Sequence, residues 1–196
     1  MAVVAWPLLY HRPMLAAILA LLVQLQTSKG PVVIEVVPQW APRAAGRFLA
    51  LVRAGYYDDT RFFRVVQGKW AQFGISGDPA VAKRWRDRPF PDEDPGPRQS
   101  NARGMVAFAF AVPNGRTTQV YVNLADNARL DEQGFAPFGR VIEGMAAIDA
   151  LYAGYGEASG GGIRGGKQQP IFDGGNAWLD AHFPRLDRIL RAQVVR

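Results

Sequence analysis

The sequence predicts a mainly β domain: an antiparallel sheet closed into a barrel, with two helices packed on it. Three observations carry that reading. Short apolar runs bounded by turn residues outnumber amphipathic stretches of helical period. No strand–helix–strand alternation appears, so a parallel sheet is not expected. The 196 residues include 21 glycines and 14 prolines, which supply the turns such a sheet needs. At 48% hydrophobic and 20% charged, a chain of this length can bury one sizeable core.

The elements follow in order. The apolar run 14–22, after His11-Arg12, is too short to span a bilayer. It reads as a leader over residues 1–22. Export to the periplasm is expected, with a cytoplasmic protein of irregular start as the alternative, since no Ala-x-Ala cleavage site follows. Alternation over 23–27 opens the domain 23–196 with a strand. Residues 32–37 (VVIEVV) form a second, between Lys29-Gly30-Pro31 and Pro38. Pro42 suits the first turn of a helix that carries Ala44, Phe48, Leu51 and Val52 inward and stops at Gly55. Residues 62–66 and 70–75 are strands around Gln67-Gly68. Residues 76–103 read as a long, proline-rich, charged loop without periodicity.

A further strand starts at Gly104, where Val106, Phe108, Phe110 and Val112 alternate with alanines, so both of its faces should be covered. After Pro113-Asn114-Gly115, residues 119–124 place Val120, Val122 and Leu124 on one face and Gln119, Tyr121 and Asn123 on the other. Residues 135–142 are a strand, and a second helix follows with Met145, Ile148, Leu151 and Tyr152 inward. The glycine-rich stretch 154–175 reads as a flexible surface loop, because no strand-to-helix context or Gly-Lys-Ser/Thr supports a phosphate loop. A short helix over 176–182 and a strand over 188–195 close the chain.

Composition removes whole classes of chemistry. Cysteine is absent, which excludes disulfides, thiolate zinc sites and a cysteine nucleophile. The only histidines, His11 and His182, lie near the two ends, so a Ser-His-Asp triad or a multi-histidine metal site is not expected. No metal or cofactor is anticipated. The 23 Lys and Arg exceed the 17 Asp and Glu by a net charge of +6. The basic stretch 83–88 is interrupted by Asp87 and followed by Asp92-Glu93-Asp94, which reads as a solvated segment and not as a nucleic-acid groove.

Several blocks resemble cyclophilin-type peptidyl-prolyl isomerases. Gly55-Tyr56-Tyr57-Asp58-Asp59-Thr60-Arg61-Phe62-Phe63-Arg64-Val65 is similar to G-Y-Y-D-x-T-x-F-H-R-V. Gly104-Met105-Val106-Ala107-Phe108-Ala109 resembles G-x-[IL]-S-[MF]-A, and Thr118-Gln119-Val120-Tyr121-Val122 resembles S-Q-F-F-I. Leu130-Asp131 and Phe138-Gly139-Arg140-Val141-Ile142-Glu143-Gly144-Met145 resemble L-D and F-G-x-V-x-x-G-M. The blocks stand in the family's order. Phe63 stands where the family usually has His, Lys69 replaces a pocket Phe, and Phe110 replaces an Asn. Phe-Phe-Arg-Val, with Gln72-Phe73-Gly74-Ile75-Ser76-Gly77-Asp78-Pro79, resembles a divergent bacterial subgroup.

The resemblance implies a closed, antiparallel eight-stranded barrel with two capping helices and a peptidyl-prolyl cis-trans isomerase that assists protein folding. Its partners would be proline-containing unfolded or extended polypeptides, with no nucleic acid, no integral membrane span and a monomeric state. Arg64 would donate toward the prolyl amide nitrogen and Gln72 would bind the substrate carbonyl. Phe63, Trp70, Phe108, Tyr121, Leu130 and Phe135 would make or rim the proline pocket, beside Gln119. Ala109 and Phe110 would offer backbone groups to an extended peptide. Read from the residues alone, Arg64 is more readily an ordinary strand arginine facing solvent, and each aromatic by default a core residue; the resemblance reverses that weighing for Arg64. A non-catalytic peptide-binding or chaperone module is the rival reading.

Overall fold

The computed structural model describes residues 21–94, 99–161 and 167–195. Among them, eight strands form one antiparallel sheet: β1 (Leu21–Thr27), β2 (Gly30–Val36), β3 (Arg64–Val66), β4 (Trp70–Phe73), β5 (Met105–Phe108), β6 (Val120–Asn123), β7 (Pro137–Glu143) and β8 (Ile189–Val194). Their spatial order is β3-β4-β6-β5-β7-β2-β1-β8. The expected full closure is not a ladder. The edges β3 and β8 meet through a single bridge between Arg61 and Arg188, with Ile189 and Phe62 donating to the carbonyls of Thr60 and Asp187 at 2.9 Å each. The sheet is therefore curled, with its two edges touching beside the short strand β3.

Period-two alternation sorts the side chains. Arg64 pairs with Gln72, Gln72 with Tyr121, and Tyr121 with Ala107, so these four form one row across four strands and share one face. The neighbouring row, Val65, Ala71, Val122 and Val106, is buried on the other face in the main core. That core is aromatic at its centre. Phe48 and Phe138 lie 4.9 Å apart, Phe108 and Phe138 5.3 Å, and Phe62 and Phe73 5.3 Å, all fully or almost fully buried.

Four α-helices, not two, lie among the described residues: α1 (Pro42–Arg53), α2 (Pro79–Arg86), α3 (Met145–Asp149) and α4 (Gln169–His182). Helix α1 buries Ala44, Ala45, Phe48, Leu49, Leu51 and Val52 and has Pro42 in its first turn. Its N-terminal amide at Ala44 is satisfied from afar by the Glu93 carboxylate at 2.7 Å, a favourable charge at a helix N-terminus. Helix α2 lies where a loop is expected. Asp78 caps it, accepting from the amides of Ala80 and Val81, and Pro79 starts it. The apolar stripe that would announce it is missing, because it buries only Ala82.

Helix α4 starts earlier than the short helix expected at 176–182. It breaks at Gly175, where the Asn176 amide turns out to the Gly77 carbonyl at 3.0 Å. Its far end is fastened by Arg61, 4% exposed, which grips both Asp180 oxygens at 3.0 and 2.9 Å. Ile171, Phe172 and Leu179 then form a second buried cluster with Phe63, Ile75 and Ala82. At the other end of the chain β1 begins at Leu21, paired with Val36, so the apolar run 14–22 runs into the sheet. The remainder of the leader lies outside the described residues, and no helix among those described is long and apolar enough to cross a membrane.

Candidate functional site

The row Arg64, Gln72, Tyr121 and Ala107 forms the centre of a cleft of about 430 Å³ on the outer face of the sheet. Its floor is a third apolar cluster of Ala107, Tyr121 and Leu130, flanked by Trp70, Ala109 and Phe135. Phe110 closes one side, its ring tilted against that of Phe135 with the centroids 4.4 Å apart. Arg116, 2% exposed, lies 3.9 Å behind the Phe110 ring and is itself held by Asp92 and the Gly134 carbonyl. The rim aromatic is therefore held by both Phe135 and Arg116. Leu130 is carried by a single 3-10 turn, Ala128–Leu130, on which Asn127 donates to the Lys69 carbonyl at 2.8 Å.

Arg64 reaches into this cleft from the edge strand. Its Nη1 donates to Gln72 Oε1 at 3.0 Å, and its Nε and Nη2 donate to Glu157 Oε2 and Oε1 at 2.9 and 2.8 Å. Its guanidinium carbon stands 4.9 Å from the centre of the Trp70 ring. Gln72 in turn donates to Gln119 Oε1 at 2.8 Å, Gln119 to Gln168 Oε1 at 2.9 Å, and Gln168 to the Gly160 carbonyl at 3.0 Å. A guanidinium has five N–H donors and no acceptor, so each amide in this chain is oriented by the one before it. Two N–H bonds of Arg64, one on each Nη, have no partner among the described residues.

Gly74, just beyond β4, keeps this arrangement tight. Its φ is +103°, and a β-carbon there would run into the Thr118 carbonyl beside Gln119. Thr118 Oγ1 donates to the Gly74 carbonyl at 2.7 Å, locking the two segments that carry Gln72 and Gln119. Tyr121 donates to Asn101 Oδ1 at 2.7 Å, while Asn101 is held by Asp131 at 2.8 Å from both its backbone and side-chain nitrogens. Burial, and secondarily the Asp131 charge, pushes the Tyr121 phenol well above its ordinary range, so it stays protonated. Burial alone would raise Asp131, but the hydrogen bonds from Ser100 and Asn101 outweigh it and hold the carboxyl below its usual range.

The site residues expected from sequence divide as follows. Arg64, Trp70, Gln72, Gln119 and Tyr121 line the cleft, as do Ala109, Phe110, Leu130 and Phe135. Phe108 and Phe63 do not. Phe108 pairs with Val120, one residue off the Ala107–Tyr121 row, so alternation turns its ring into the main core against Phe90 and Phe138. Phe63, one residue before Arg64, faces the opposite way and is fully buried under α4. The Ala109 N–H is also unavailable to a peptide, because it donates to the Gln119 carbonyl at 2.9 Å. Strand β5 ends at Phe108, short of the expected 112, and Val112 is 59% exposed beyond it. Lys69 is exposed at the turn, 6.0 Å from the Trp70 ring, and does not line the cleft.

Sequence reasoning missed the wall contributed from the C-terminal third: Gln168 and Phe172, with Arg86 stacked 4.3 Å from the Phe172 ring. Pro170 in the first helical turn and the spacing of Ile171, Phe172 and Leu179 were a legible signal for a helix starting there. Nothing in the sequence marked Glu157. Among the described residues, no cluster of three or more potential metal-ligating side chains occurs.

Comparisons with known proteins agree with this architecture. Residues 22–167 match the family model for cyclophilin type peptidyl-prolyl cis-trans isomerases. The chain is 36% identical over 137 residues to the peptidyl-prolyl cis-trans isomerase cyp18 of Streptomyces antibioticus, covering 66% of this chain and 81% of that protein. It is 34% identical over 128 residues to the peptidyl-prolyl cis-trans isomerase-like 2 of Neurospora crassa, covering 63% of this chain but only 21% of that much longer protein. The crystal structure of a Cryptosporidium parvum cyclophilin type peptidyl-prolyl cis-trans isomerase superposes with a TM-score of 0.66 over 90% of this chain and 98% of that one, at 20% identity, a likeness of fold. Fold, ordered motifs and family match converge: the chain belongs to the cyclophilin-type peptidyl-prolyl cis-trans isomerase family.

Proposed function

We propose that the cleft binds extended polypeptide around a proline and that Arg64 accelerates rotation of the preceding peptide bond, assisting protein folding. Amide resonance sets a barrier of about 18–20 kcal/mol, and uncatalysed exchange takes tens to hundreds of seconds. Twisting the bond localises the lone pair on the prolyl nitrogen. A donor placed there stabilises the twisted state over both planar isomers, and each ~1.4 kcal/mol of such preference is worth a factor of ten. No acid–base group, metal or nucleophile is required.

One observation carries this reading: Arg64 lines an apolar cleft with three of its five N–H bonds engaged and two without a partner among the described residues. Tyr121, Leu130, Phe135 and Trp70 offer the proline ring a dry floor, and Gln72 lies beside Arg64 for the neighbouring carbonyl. A Cryptosporidium parvum relative of 22% identity was solved in the presence of the dipeptide Ala-Pro, which supports a proline peptide as ligand. A two-dimensional exchange spectrum of a short Ala-Pro peptide, with and without the protein, tests the proposal. Cis–trans cross-peaks on the subsecond scale are expected. Peptide binding without accelerated exchange would assign the cleft to a non-catalytic binding module instead.

A further inference from the structure

Residues 155–161, read from sequence as part of a flexible surface loop, are fastened to the strand that carries Arg64. Ser159, 1% exposed, donates its hydroxyl to the carbonyl of Phe63, the residue preceding Arg64, at 2.7 Å. Gly160 gives its carbonyl to the buried Gln168 amide at 3.0 Å and sits so close to the Phe63 ring that a β-carbon there would collide with it. The Gly161 amide closes the turn on the Glu157 carbonyl at 2.9 Å. This places the Glu157 carboxylate side-on to the guanidinium, with both oxygens engaged at 2.9 and 2.8 Å. An exposed lysine–carboxylate pair would be free to swing. A bidentate fork on an anchored turn fixes the plane of the guanidinium.

The consequence is a three-sided mount. Gln72 holds Nη1, Glu157 holds Nε and Nη2, and the Trp70 ring lies 4.9 Å from the guanidinium carbon. Gln72 and Glu157 also trace back to the same segment, one through Gln119 and Gln168 to Gly160 and the other directly. The circuit closes on itself. We propose that Glu157 is a positioning residue for the isomerase reaction, holding Arg64 so that its two remaining N–H bonds meet the prolyl nitrogen as the bond twists. This rests on the reading of Arg64 given above.

The test compares four proteins on one proline peptide: wild type, Glu157→Gln, Arg64→Ala and the double variant. Glu157→Gln, at a half-exposed carboxylate, is expected to keep its melting temperature, to lower kcat by roughly 3- to 10-fold and to leave KM within about twofold. In the Arg64→Ala background the same change should do nothing further. The Arg64 Nε–H resonance, followed by 15N NMR, should exchange with water faster in Glu157→Gln than in wild type, and Glu157→Asp should recover part of the loss. An unchanged or raised kcat, or an equal loss without Arg64, overturns the proposal. Should Arg64→Ala retain full activity, the reading of Arg64 itself fails, and that arm reports it separately.

Discussion

Arg64 and the Gly160 carbonyl are the two ends of a one-way hydrogen-bond chain. Arg64 can only donate and the carbonyl can only accept, so the amides of Gln72, Gln119 and Gln168 between them all point in the same sense. Each amide is buried, between 3% and 7% exposed. The Arg64 side chain in the cleft is thereby oriented by a helix start more than a hundred residues away in sequence.

Breaking that chain at Gln168 should be felt in both stability and activity. Gln168→Leu leaves the Gln119 amide without its acceptor and the Gly160 carbonyl without its donor, both in buried surroundings. A loss of about 1–3 kcal/mol in unfolding free energy is expected, measurable by denaturant titration. Gln168→Glu, which sets a buried carboxylate oxygen against the Gly160 carbonyl, should lose at least as much.

The buried Trp70 Nε1 has no hydrogen-bond partner among the described residues, so the side chain is held by packing and by the Arg64 guanidinium over its ring. Trp70→Phe should therefore preserve most peptide affinity. Trp70→Ala removes both the cleft wall and the platform under Arg64, and about tenfold weaker peptide binding is expected by titration calorimetry. Lys69→Ala, at the exposed neighbouring position, should leave binding unchanged.

Much of this was legible beforehand. Alternation in residues 119–124 put Tyr121 and Gln119 on the face away from the core valines, and the sheet register bears that out. The same alternation in residues 104–112 turns Phe108 into the core, since Ala107 and Phe108 cannot share a face, whereas motif similarity alone places Phe108 in the pocket. Helix α2 was hidden because its charged residues bury almost nothing, although Asp78-Pro79 marks its start. Glu157 was invisible in principle. Its contact with Arg64 spans 93 residues and depends on the turn that Ser159 and Gly160 pin against Phe63.

Activity should be flat between about pH 6 and 8, because the described residues lining the cleft include no histidine, cysteine or carboxylate. Tyr121 extends this upward: its raised pKa keeps the hydroxyl donating to Asn101. The stability linked to that proton is complete below the phenol's unfolded value, about pH 10, and fades as pH rises toward its folded one. A bell-shaped kcat/KM profile between pH 6 and 8 would contradict this.

Asp131 acts in the opposite direction. Its folded pKa is lowered, so the stability it contributes is present above its unfolded value near pH 4 and disappears as pH falls below it. Wild type should lose melting temperature between pH 5 and 2 more steeply than Asp131→Asn, which starts lower at pH 7 for want of the bonds from Ser100 and Asn101. Parallel slopes would remove Asp131 from the account.

The most direct measurement is kcat/KM for a proline peptide in wild type and Arg64→Ala, with the fold of each checked by circular dichroism and peptide binding by titration. Arg64 is partly exposed at the edge strand and outside the aromatic core, so the variant should fold. A fall of at least roughly tenfold in kcat/KM, with peptide binding changed far less, is predicted. Undiminished turnover in a folded Arg64→Ala protein would contradict the account.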